Sequence, residues 1–182
     1  MSHDYSEEKL VQDSACDVLQ NKLGWRVVYA YKSEKLGVDG TFGRTSYKEV
    51  LLTRYIREAL KRLNPWINNQ QIVEAITKLT RRISTASLLQ INEEKYIYLR
   101  DGIPVTVKRP DGRTELKRAA IIDFNNAHNN EFLAVKELII NGDLYNRRAD
   151  IIGFVNGIPL LFAELKRPDI DVRNAYEDNY KD

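Results

Sequence analysis

The chain has 182 residues, 43% of them apolar, with a formal net charge of +2, one cysteine and two histidines. That length supports one compact domain with its own core. Cys16 alone excludes an internal disulfide and a cysteine-built zinc site, and His3 with His128 are too few for a histidine metal cluster or a histidine-dependent hydrolase. No apolar run is long enough to cross a bilayer and the N-terminal stretch is acidic rather than signal-like, so no membrane association and a cytoplasmic location are expected. Residues 44–118 hold 16 Lys/Arg against 8 Asp/Glu, while the rest holds 12 against 18. The basic middle is a candidate phosphate-facing surface, and a solvated helical surface is the plainer reading for any one of its residues.

Ser6 with two glutamates opens a first helix, whose apolar stripe takes in Leu10, Ala15, Cys16, Val18, Leu19 and Leu23 before Gly24 ends it. A buried, reduced thiol is expected for Cys16. Residues 25–31 form a short edge strand, and 32–46, with three glycines, form an extended loop. Two helices follow at 47–63 and 69–83. The first turns Val50, Leu51, Tyr55, Ile56, Ala59, Leu60 and Leu63 inward, and the second Ile72, Val73, Ile76, Leu79 and Ile83. They belong to a helical insertion over about residues 47–92 of a single domain spanning 1–182. Residues 87–99 read as a further short helix ending in a strand-like Tyr96-Ile97-Tyr98-Leu99. Strands at 103–108 and 115–122 are joined by the turn Pro110-Asp111-Gly112-Arg113. Arg109, Arg113, Lys117 and Arg118 make this hairpin the densest basic patch, suited to gripping phosphates without reading bases, although solvated charges are again the plainer reading. A polar asparagine loop at 125–130 leads into a strand at 131–140, and Asn141-Gly142-Asp143 is a turn.

Residues 147–166 organise the chain. Two β-branched and aromatic runs flank Asn156-Gly157, a strong signal for an antiparallel hairpin. Asp150 opens the first strand, and Glu164 and Lys166 close the second on one of its faces. Asp150 shares that face only if cross-strand partners sum to an even number. A two-residue loop pairing Val155 with Ile158 gives an odd sum. A three-residue loop with Gly157 as a left-handed G1 bulge pairs Phe154 with Ile158, sets Asp150 opposite Phe162 and places it diagonally from Glu164. That loop, or an equivalent bulge within a strand, is expected, with Gly157 at positive φ. Converging carboxylates offer hard oxygen ligands of the kind that hold Mg²⁺ while leaving room for water and phosphate, and Lys166 offers a fixed positive charge. A surface hairpin with solvated charges is the competing reading. Beyond it, Pro168 breaks the strand and Asp169 or Asp171 caps a helix over 172–182, which reaches the end of the sequence without a stop signal and suggests a fragment of a larger protein.

The segments Ile122-Asp123-Phe124-Asn125, Asn129-Asn130-Glu131-Phe132, Arg148-Ala149-Asp150-Ile151, Phe154-Val155-Asn156-Gly157-Ile158-Pro159-Leu160 and Glu164-Leu165-Lys166-Arg167-Pro168, taken in order, resemble the N-terminal nuclease domain of the R (restriction and motor) subunit of type I restriction endonucleases, in the PD-(D/E)xK superfamily. Phe42-Gly43-Arg44 and Leu51-Leu52-Thr53-Arg54-Tyr55 resemble it less sharply. The resemblance implies a restriction-endonuclease-like α/β core, a central mixed β-sheet flanked by helices. It implies Asp150 and Glu164 as metal ligands, with the Leu165 backbone carbonyl as a further ligand, and Lys166 as the catalytic lysine. It also implies Mg²⁺ as cofactor, ATP used only in motor domains outside this chain, and double-stranded DNA plus methyltransferase and specificity subunits as partners. First helices of the superfamily often aim an acidic residue at the metal, which makes Glu8 or Asp13 candidates, with an exposed helix charge as the alternative for each. The family's Gln-x-x-x-Tyr pair has no counterpart in Asp178-Asn179-Tyr180-Lys181-Asp182. Two further readings stay open: a non-catalytic module that docks DNA or a partner subunit, and a free-standing repair-type nuclease.

Overall fold

The structure is a computed structural model that describes residues 11–31, 33–81, 87–142, 146–166, 171, 173 and 176. The elements in chain order are α1 (Asp13–Asp17), continuing as a π-helical turn (Val18–Lys22), β1 (Arg26–Tyr29), α2 (Thr53–Leu63), α3 (Asn69–Thr80), α4 (Leu88–Asp101), β2 (Ile103–Lys108), β3 (Thr114–Ala119), β4 (Phe132–Asn141), β5 (Asn146–Val155) and β6 (Ile158–Ala163). They fall into two compact units, Met1–Val50 with Phe132–Asp182, and Leu51–Glu131. Expectations at His3, at Glu8 and over 177–182 lie outside the described residues, as does the break at Pro168. Of the last helix, Asp171 is seen accepting the Arg173 backbone N–H at 2.8 Å, which is cap geometry.

The first unit is built on a mixed sheet of order β1-β4-β5-β6, with β1 parallel to β4 and the other pairs antiparallel. This is the α/β architecture the sequence implied. Cys16 of α1 packs on Ala134 and Ile151, with Leu19, Trp25, Val27, Ala163 and Leu165 around them. Its thiol is free and buried, and burial pushes its pKa up against the pull of Lys136. Val18 and Leu23, expected inside, are exposed, whereas Leu19 of the same π-helical turn stays packed on the core. Trp25 lies across β5 at Gly153, where any Cβ would come within 2.7 Å of the indole, and its ring centroid is 5.2 Å from that of Phe132.

Within the expected extended loop, Phe42 and Arg44 are buried. The Arg44 guanidinium donates to both carboxylate oxygens of Glu34, at 2.5 and 2.6 Å, and to the backbone carbonyls of Glu49 and Ile139 at 3.1 and 2.8 Å. Asn141 N–H donates to the Tyr47 carbonyl at 3.0 Å. These bonds tie the loop to β4.

The second unit stacks α2 and α3 with the β2–β3 hairpin, which is a separate two-stranded sheet. Tyr55, Ile56, Ala59 and Leu60 are the buried face of α2, as expected, although the helix starts at Thr53 rather than 47. On α3 the buried face is Gln71, Ile72, Ala75 and Leu79, and Val73 is exposed. Gln71 goes inside because its amide closes the capping box with Asn68 and donates to the Thr106 carbonyl at 3.2 Å. Tyr96-Ile97-Tyr98-Leu99 is helical rather than strand-like. The Ser87–Gln90 capping box starts α4, and an i,i+4 bond from Tyr98 to Glu94 supports its last turns. Asn64 ends α2 and exchanges hydrogen bonds with the Ala120 backbone at 2.7 and 2.8 Å. The unit therefore continues well beyond the helical stretch 47–92.

Candidate active site

The β5–β6 hairpin reverses through Asn156 and Gly157 at φ +52° and +83°, the left-handed pair a two-residue type I′ turn requires. Val155 pairs with Ile158 and Phe154 with Pro159. The register then slips, and Gly153 faces Leu161, Ile152 faces Phe162 and Ile151 faces Ala163. The three-residue loop is therefore not formed. Asparagine tolerates the left-handed region, so the tighter turn is available, and the extra residue, Leu160, enters beside Pro159, which has no N–H to give the ladder. The other expected device, a bulge within a strand, is what restores the parity, with Gly157 at positive φ as expected. Continuing the register by one residue sets Asp150 across from Glu164, not from Phe162.

The two carboxyls meet. Burial, then the Asp150 charge, then a hydrogen bond with Asp150 push the Glu164 pKa up to about 7, against the opposing charges of Lys166 and Arg147. Asp150 is an acceptor on both oxygens. Its Oδ2 takes the Leu165 backbone N–H at 2.8 Å, and its Oδ1 takes the Gln12 side-chain Nε2 at 2.8 Å. With Asp150 so committed, the shared proton belongs to Glu164. Asp150, Glu164, Leu165 and Lys166 are all partly buried, neither sealed nor fully in solvent. On β4, Lys136 and Leu138 pair with Ile151 and Ala149, which puts Glu137 across from Asp150. Glu137 has φ +54° and lies 3.6 Å from Arg148, so the strand is irregular beside the site.

Sequence reasoning missed Gln12. It is 6% exposed, and while its Nε2 holds Asp150 its Oε1 is buried with no hydrogen-bond partner among the described residues. The available signal was a polar residue four positions before Cys16, in line with the buried stripe. Asp13, one of the two acidic candidates of the first helix, binds Lys136 at 2.6 Å. Among the described residues no group of three acidic, histidine or cysteine side chains is arranged to hold a metal. The oxygen donors here that fit a hard cation are the carboxyls of Asp150 and Glu164 and the amide oxygen of Gln12.

The four basic residues of β2–β3 lie in the other unit, and all four contact neighbours there. Arg109 binds Glu115, Lys117 sits 4.0 Å above the Trp66 ring, Arg118 donates to the Gly102 carbonyl at 3.0 Å, and the largely exposed Arg113 lies 3.8 Å from Asp111.

Fold and site define an α/β domain with a mixed sheet that carries a cluster of two carboxyls and one lysine at the end of a β-hairpin. The chain belongs to the family described as Type I restriction enzyme R protein N terminus (HSDR_N), which matches residues 4–182. It is 33% identical over 166 residues to the type I restriction enzyme HindI endonuclease subunit of Haemophilus influenzae, covering 88% of this chain and 15% of that protein. It is 27% identical over 179 residues to the putative type I restriction enzyme MjaIXP endonuclease subunit of Methanocaldococcus jannaschii, covering 96% of this chain and 16% of that protein. The chain thus spans about one-sixth of the length of these curated relatives. No helix among the described residues is long and apolar enough to cross a membrane.

Proposed function

We infer that this chain is the DNA-cutting module of a type I restriction enzyme, a restriction-endonuclease-like domain that hydrolyses phosphodiester bonds of double-stranded DNA with Mg²⁺. The observation that supports this most is the meeting of Asp150 and Glu164 beside Lys166. Two N–H donors, from Gln12 and Leu165, hold Asp150 Oδ1 and Oδ2 in place. Glu164 gives up its proton to solvent to become the second charged donor, and the carbonyl of the adjoining Leu165, just past the end of β6, is a further oxygen. A Mg²⁺ held by these oxygens would supply positive charge against the transition state and lower the pKa of a water. Lys166 orients a water for in-line attack and compensates developing negative charge. The methyltransferase and specificity subunits find the target sequence, ATP is consumed elsewhere in the subunit, and the complex works in the cytoplasm.

Asp150→Ala and Lys166→Ala in the full-length subunit, assembled with its partners, should each abolish DNA cleavage while ATP hydrolysis and translocation continue. Cleavage that survives in both variants would return the chain to the docking reading. Robust cutting by the 182-residue chain with Mg²⁺ alone would favour a free-standing nuclease.

A further inference from the structure

Gln12 is anchored where it stands. Four residues on, Cys16 seats α1 against Ala134 and Ile151. Its amide has two ends with different fates. Nε2 donates to Asp150 Oδ1 at 2.8 Å, and Oε1, no more than one amide width away, is buried with no hydrogen-bond partner among the described residues. Turning the amide over does not repair this, because it would set an oxygen acceptor against a carboxylate that already accepts the Leu165 N–H. Asp150 therefore fixes the amide, and Oε1 is left within an amide width of the Asp150 carboxylate. Leaving such an oxygen unsatisfied is unfavourable, because it has given up water without gaining a donor, so a partner from outside the polypeptide would remove that penalty.

We propose that Gln12 is the third side chain of the cation site: its Nε2 holds Asp150 in position, and its Oε1 gives a divalent cation a neutral oxygen donor. This rests on the reading of Asp150 and Glu164 as cation ligands. A neutral donor suits the place, since Asp150 and Glu164 already bring two carboxyls together and a third would crowd like charges. It also accounts for a site with only two acidic ligands, since small hard cations accept amide oxygens and keep several waters. Groups that orient a ligating carboxylate typically change metal affinity 10–100-fold.

Calorimetric titration of the folded 182-residue chain with Mg²⁺, and separately with Mn²⁺, tests the assignment, with the cation-induced rise in Tm as a second readout. Gln12→Met keeps length and volume but has no amide, and it should weaken cation binding at least about tenfold with an unchanged far-UV circular dichroism spectrum. Asp150→Ala should lose binding altogether. Native chain that binds, Asp150→Ala that does not, and Gln12→Met that binds as the native chain does would overturn the role of Gln12 while leaving the carboxylate site standing. Native chain and Asp150→Ala that fail alike to bind either cation would remove the site and this proposal together. Should Gln12→Met not fold, Gln12→Glu decides: a larger cation-induced Tm rise than the native one supports the proposal, and an equal rise overturns it.

Discussion

Glu34 and Glu164 are both carboxyls drawn into the sheet unit, and their surroundings could hardly differ more. Glu34 is held through two bonds by Arg44, and the two side chains are 4% and 1% exposed. Every polar atom there has a partner, and the pair ties a loop to β4. Glu164 faces another carboxyl, and burial and that neighbour together push its pKa up to about 7. Both arrangements cost desolvation, but only the first recovers it within the protein. One buried acid is neutralised within the protein and the other is opposed by a second carboxyl, and the proposed cation site rests on that contrast.

Substitutions at the two places should therefore move stability in opposite directions. Arg44→Ala leaves Glu34 buried and unpaired, and chemical denaturation should show a loss of about 3–5 kcal/mol. A loss below about 1 kcal/mol, the range of an exposed pair, would mean that the pair is solvated and the contrast is false. Glu164→Gln should do the reverse and stabilise the metal-free chain at pH 8 by on the order of 1 kcal/mol after solvent screening, while ending DNA cleavage. The pH dependence sharpens this. The folded chain holds the Glu164 proton more tightly than the unfolded chain, so this group's contribution is fully present below about 4.5 and is lost as pH rises through about 7. Melts of native and Glu164→Gln chains should converge below about pH 4.5 and separate toward pH 8. A constant gap across that range would contradict the account.

The hairpin was legible because its constraints are arithmetic: two acids sharing a face require an even register, and Asn156-Gly157 sets the reversal. Where the extra residue goes was not legible. Asparagine permits the tight turn, and only packing decides that Leu160, beside Pro159, takes up the slip. Arg44 and Gln12 were illegible for a shared reason. Each is a polar residue whose burial depends on a partner distant in sequence, Ile139 for one and Asp150 for the other, and local periodicity carries no record of either. The α3 face was misjudged because Val73 was assumed inside, whereas capping and a bond to β2 draw in Gln71. In α4, aromatic and β-branched residues favour a strand locally, but a capping box and an i,i+4 bond keep the chain helical.

The claim on which the rest depends is that the Asp150–Glu164 pair exchanges its proton for a cation. Titrating the chain with Mg²⁺ at pH 7 in two buffers of different ionisation enthalpy counts the protons released. With Glu164 titrating near 7, about half a proton should leave per cation bound, falling toward zero at pH 9 and absent in Glu164→Gln. Binding that releases no proton at pH 7, or the same number with and without Glu164, would contradict it.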